Sequence, residues 1–62
     1  MTNAELVKKL KKKGIKFLAH GSRHDIYYNP KTGAQASILR HWSQQVDAGT
    51  LSSIRKNLGV NV

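Results

Sequence analysis

Three short runs that alternate apolar and polar residues lie between Ile15 and Leu39, and the joints between them are only a few residues long. Ile15 to His20 sets Ile15, Phe17 and Ala19 against Lys16, Leu18 and His20, the period-two pattern of a half-buried strand. His24 to Tyr28 sets Asp25 and Tyr27 on one side and His24, Ile26 and Tyr28 on the other. Ala34 to Leu39 reads as a third strand. Gly21-Ser22 makes a tight turn between the first two. Asn29-Pro30-Lys31-Thr32-Gly33 is the clearest turn in the chain, with proline fixing φ early and Gly33 free to take a positive φ. Loops this short cannot carry the chain across a sheet, so the strands must form an antiparallel meander.

Helical patterns flank the meander. Thr2 and Glu5 fit a capping box, in which each side chain satisfies the other residue's free backbone N–H. Leu6, Val7 and Leu10 then share one arc of a helix. Lys8 and Lys12 project opposite, Lys9 and Lys11 lie on the flanks, and Gly14 is a natural stop. Arg40 to Ala48 reads as irregular, with a short helical turn near Ser43. Gly49 or Thr50 is expected to cap a last helix, in which Leu51, Ile54 and Leu58 recur at helical spacing before Gly59. Two helices with such narrow apolar stripes can bury them only against one face of the sheet. The expected fold is therefore an α+β two-layer domain, α-β-β-β-α, over residues 1–62.

A chain of 62 residues has one thin core, and with no cysteine it has neither disulfide nor thiolate metal site to reinforce it. No apolar run approaches the roughly 18 residues that span a bilayer, and the first residues lack the apolar stretch of a signal peptide. A soluble cytoplasmic domain with no membrane partner is expected. Eleven Lys and Arg against three acids give a net charge of +8, which favours a polyanionic partner, nucleic acid or an acidic protein. Six of the eleven fall between Lys8 and Lys16. Such a run is ordinarily a solvated helix face. Here Lys9 and Lys12 also suit a phosphate track.

HGSRHDIYYNP, His20 to Pro30, holds the densest chemistry. Imidazole takes and gives a proton near neutral pH, and RNA supplies its own nucleophile in the 2′-hydroxyl. His24 could serve either end of that transfer, with Arg23 or Lys16 stabilising the charge that builds on phosphorus. A histidine in a strand is, however, more often a plain surface residue. Asp25 should face away from His24, which argues against a His24–Asp25 pair. His20, His24 and His41 match no zinc spacing, and nothing completes a serine triad or a phosphate loop around Ser22. His41-Trp42 beside Arg40 could clamp a base; Trp42 could equally plug the core.

GSRHDIYYNPKTG, a strand ending in LRH, and AGTLSSIRKNLG together resemble the HicA family of small toxins over nearly the whole chain. The resemblance implies a fold of the double-stranded-RNA-binding-domain type and a metal-independent, cofactor-free endoribonuclease that cleaves single-stranded mRNA. It maps the catalytic histidine of a Gly-Ser-x-His turn onto His24. It also implies inhibition by a HicB-type antitoxin, and it matches His41 to an Arg-His pair of structural or RNA-contacting role. Lys9, Lys12, Lys16, Ser22, Arg23, Arg40 and His41 are the expected RNA contacts. One proton carrier is unassigned, with water and Tyr27 as candidates. The other reading is a non-catalytic binder of double-stranded RNA. Against it, Thr50 to Ser53 occupy the start of the last helix, where duplex binders carry lysines to span the phosphates.

Overall fold

The computed structural model describes residues 1–62. Its elements are α1 (Asn3–Lys12), β1 (Lys16–His20), β2 (His24–Tyr28), β3 (Gln35–Leu39) and α2 (Ala48–Leu58). The strands pair antiparallel in the order β1-β2-β3, and both helices lie on one face, as the meander and the two apolar stripes require. The arrangement is α+β, of the double-stranded-RNA-binding-domain type. No helix is long and apolar enough to cross a membrane.

The capping box at Thr2 forms: Thr2 Oγ1 accepts the Glu5 N–H at 3.2 Å and Glu5 Oε1 accepts the Thr2 N–H at 3.0 Å. The next two N–H groups of α1 have no partner within the helix. Asn3 and Ala4 donate them to the carbonyls of Gln44 and Trp42, at 2.9 and 3.1 Å, so the loop before α2 is pinned to the start of α1. Within that loop the turn near Ser43 is a single non-helical one, closed by the Gln44 N–H on the His41 carbonyl at 3.0 Å. The start of α2 corrects the sequence reading. Asp47 is the N-cap, with Oδ1 accepting the Thr50 N–H at 2.7 Å, so the helix opens before Gly49 and Thr50. Aspartate satisfies a free helix donor as well as threonine does, and it stands at the better position.

Leu6, Leu10, Ile38 and Leu58 are fully buried, with Val7, Ile15, Tyr27, Ala36 and Ile54 around them. The helices therefore cover β3 and β2 and leave β1 bare. Phe17 and Leu18 are 43% and 45% exposed, and Ala19 is exposed as well, so the expected half-buried β1 is in fact open to solvent on both sides. Its alternation also breaks. Phe17 pairs with Tyr27 and Ala19 with Ile26, which makes Leu18 the extra residue of a bulge. Beyond a bulge every side chain changes face. His20 thus joins Phe17 on the helix side, opposite Asp25, instead of sharing a face with Lys16.

Candidate functional site

The β1–β2 hairpin closes through Gly21, whose N–H donates to the His24 carbonyl at 2.6 Å. A Cβ at Gly21 would lie 2.9 Å from that oxygen, so only glycine lets the chain turn this tightly. Pairing of His24 with Leu39 places the following residue, Arg40, beside the turn. Its guanidinium donates to the carbonyls of Gly21 at 2.8 Å, Ser22 at 2.6 Å and His24 at 3.4 Å, and to Asp25 Oδ1 at 3.0 Å. Its own N–H donates to the Arg23 carbonyl at 3.0 Å. One arginine thus fixes the whole stretch from Gly21 to Asp25. The sequence places Arg40 among the RNA contacts; in the structure both terminal nitrogens of its guanidinium bind the turn, and Nε has no partner in the protein.

The three histidines have different surroundings. His20 Nδ1 lies 2.7 Å from Asp25 Oδ1, and His41 Nδ1 lies 2.9 Å from Gln44 Oε1. His24 is exposed at the first position of β2, on the sheet face away from the helices, and its ring has no hydrogen-bond partner in the protein. They do not gather into a metal-ligating set. A cleft of about 180 Å³ opens beside His24, bordered by Leu39, Asn3, Gln44 and Asp47. Ser22 and Arg23 are exposed next to His24, and their backbone N–H groups have no acceptor in the protein. Within three consecutive residues the turn therefore carries an unengaged imidazole, a guanidinium, a hydroxyl and two amides without acceptors.

The remaining expected site residues spread along the molecule. Lys9 and Lys12 are exposed on α1. Lys16 pairs with Tyr28, four residues along the strand from His24, or roughly 13 Å at ~3.3 Å per residue. It shares the open face with His24 but stands at the other end of it. His41 is exposed, and its carbonyl accepts from Asn3 Nδ2 at 2.9 Å. Trp42 is 39% exposed and does not plug the core. Tyr27 is buried on the face opposite His24, and burial together with the negative Asp25 pushes its phenol up; it cannot exchange a proton with a substrate at His24.

Asp25, 5% exposed, is the residue whose importance the sequence did not reveal. The hydrogen bond with His20, and after it the one with Arg40, holds its carboxyl below the usual carboxylate range. One signal was available: an acid that shares the strand's side with Tyr27 must have a partner if that side is buried. The other two acids are also engaged, Glu5 in the α1 cap and Asp47 in the α2 cap. Arg40 pairs with Asp25, Arg55 donates to the Val62 oxygen, and the other nine Lys and Arg side chains have no partner in the protein, so the surface is positive with little to offset it.

A small α-β-β-β-α sheet, a lysine-rich first helix and an arginine-latched turn carrying a free histidine form a combination that can be compared with known proteins. Residues 4–60 match the family model described as the HicA toxin of bacterial toxin–antitoxin systems. No curated protein and no solved structure matches the chain. As that match covers all of the 62-residue chain except its first three and last two residues, the chain belongs to the HicA family, the toxin half of a toxin–antitoxin module that includes an antitoxin partner.

Proposed function

We propose that this toxin is an endoribonuclease that cleaves single-stranded messenger RNA in the cytoplasm, with His24 as general acid or base. Attack of a ribose 2′-oxygen on the adjacent phosphorus breaks the bond to the 5′-oxygen and leaves a 2′,3′-cyclic phosphate and a 5′-hydroxyl. One proton leaves the 2′-hydroxyl and one reaches the departing oxygen. His24 carries one of them, and water carries the other. The nucleophile belongs to the substrate, so the chemistry calls for no metal or cofactor. Arg23, the Ser22 hydroxyl and the free turn amides adjoin His24 in the chain, are exposed, and suit the charge that develops on phosphorus. Lys16 reaches a neighbouring phosphate on the open face, while Lys9, Lys12 and His41 hold flanking segments. Arg40 acts through the turn, as a positioning residue. A HicB-type antitoxin silences the toxin by covering the His24 end of the sheet.

The observation that carries this reading is the unengaged His24 ring on a turn fixed by Arg40. The test is cleavage of single-stranded RNA in EDTA by the wild type and by His24→Ala. The expected loss is about 10²- to 10⁴-fold with an unchanged circular dichroism spectrum. Full activity in His24→Ala would refute the assignment.

The fold also favours a second reading, simple binding of duplex RNA. The first turn of α2 opposes it, because no Lys or Arg occurs in that helix before Arg55. Tight duplex binding with intact single strands in the same assay would establish it.

A further inference from the structure

We propose that the helix-side face of β1 is a nucleobase-stacking subsite, formed by Phe17 and His20, for a base of the single-stranded RNA that the ribonuclease reading assigns to this toxin. The Leu18 bulge puts these two residues, three apart in sequence, on one face with ring centroids 4.7 Å apart and planes inclined at 55°. At that tilt neither ring covers the other. The Phe17 residue is 43% exposed and the His20 side chain 71% exposed.

Both rings are held in advance of any ligand. Phe17 meets Tyr27 edge-on at 5.8 Å with planes at 78°, and Tyr27 is buried. His20 is fixed through Nδ1 to Asp25, which Arg40 holds in turn, so its Nε2 edge is left to solvent. A surface already ordered loses little entropy when a base settles on it.

Charge selects the occupant. β1 begins just after the Lys11–Lys13 end of α1, carries Lys16, and ends at the turn bearing Arg23 and His24. No free carboxylate borders it, since Asp25 is paired and buried. Aromatic faces between cations are the means by which proteins hold single strands, phosphates on the charges and bases on the rings. An acidic protein segment would find the cations but has no use for two rings set to receive a planar group.

The test measures binding of a 2′-O-methylated single strand, which lacks the nucleophile and stays intact, alongside an abasic strand of equal length. Phe17→Ala and Phe17→Leu should each weaken binding of the base-bearing strand by about 5- to 150-fold, the worth of one base stacked on an aromatic ring. Both should bind the abasic strand as the wild type does, and Phe17→Tyr should retain wild-type affinity for the two strands. Phe17→Leu keeps an apolar contact to Tyr27, so it separates the flat ring from mere bulk and guards against a misfolded alanine variant.

Wild-type affinity for the base-bearing strand in Phe17→Leu would overturn the proposal and leave Phe17 and Leu18 as a protein-contacting edge. An equal loss on both strands would also overturn it. A wild-type protein that neither cleaves RNA nor binds the methylated strand would bring down the ribonuclease reading itself, and this subsite with it. Normal cleavage by wild type and Phe17→Leu alike brings down the subsite alone.

Discussion

Asp25 sits between two bases, His20 and Arg40, and is the point where the strand pairing and the turn before His24 are tied together. Its carboxyl titrates below the usual range because both contacts favour the anion. A carboxyl whose folded pKa is depressed stabilises the fold fully above its unfolded value, near 4, and loses that contribution as the pH falls through the lower folded value. Asp25→Asn should therefore melt below the wild type at pH 7, and the two melting curves should draw together as the pH falls below the ordinary carboxylate range and Asp25 becomes protonated. Thermal melts across that range check it, and a constant offset at every pH would assign the effect to packing instead. The same variant loosens Arg40 and with it the turn. Cleavage should then fall through kcat, because the turn that positions His24 is held less firmly, while the circular dichroism spectrum stays that of the wild type. Alternation alone correctly separated Asp25 from His24. It could not show that His20 arrives to meet Asp25, because that depends on one extra residue in the neighbouring strand.

That extra residue makes β1 the element least legible from sequence. Period-two counting through Leu18 puts His20 with Lys16; the structure puts His20 with Phe17, since a bulge inverts the count and leaves no mark in composition. Deleting Leu18 should keep the register, because Phe17–Tyr27, Ala19–Ile26 and His20–Asp25 would become consecutive pairs. The variant should retain a wild-type spectrum and yet self-associate, since bulges are one way an exposed edge avoids pairing with another copy. Size-exclusion chromatography over a concentration series reads this directly, and a monomer at all concentrations would show that the bulge serves only to aim His20. The helices were more legible, because caps and stops are local. The Thr2–Glu5 box was readable in full, and Thr2→Ala should cost about 1 kcal/mol, or ~4–8 °C in a domain this small. Asp47 escaped because Gly49 and Thr50, just after it, are also acceptable caps; two adjacent solutions cannot be ranked without the tertiary contacts.

Across the whole molecule a thin core carries a large positive charge. A chain of 62 residues has about 3–9 kcal/mol of stability to draw on. Leu10 and Leu58 are each fully buried, so trimming either to alanine, at about 2–5 kcal/mol, should remove roughly half of that reserve and lower the melting temperature steeply. With so little to spare, nine unpartnered cations are a standing cost through mutual repulsion, and a polyanion that gathers them relieves it. RNA binding should accordingly fall with salt along a straight line in log–log form, with a slope near −0.7 for each phosphate engaged. Lys9→Ala and Lys12→Ala should each lower the slope's magnitude by about 0.7 and weaken all single strands alike, because phosphate contacts carry no sequence information. Phe17→Leu should lower affinity at every salt concentration and leave the slope unchanged, because a stacked base releases no counterions. A slope that ignores Lys9 and Lys12 would move the phosphate track off α1 and onto the open face of the sheet, which carries His24 at one end and Lys16 at the other.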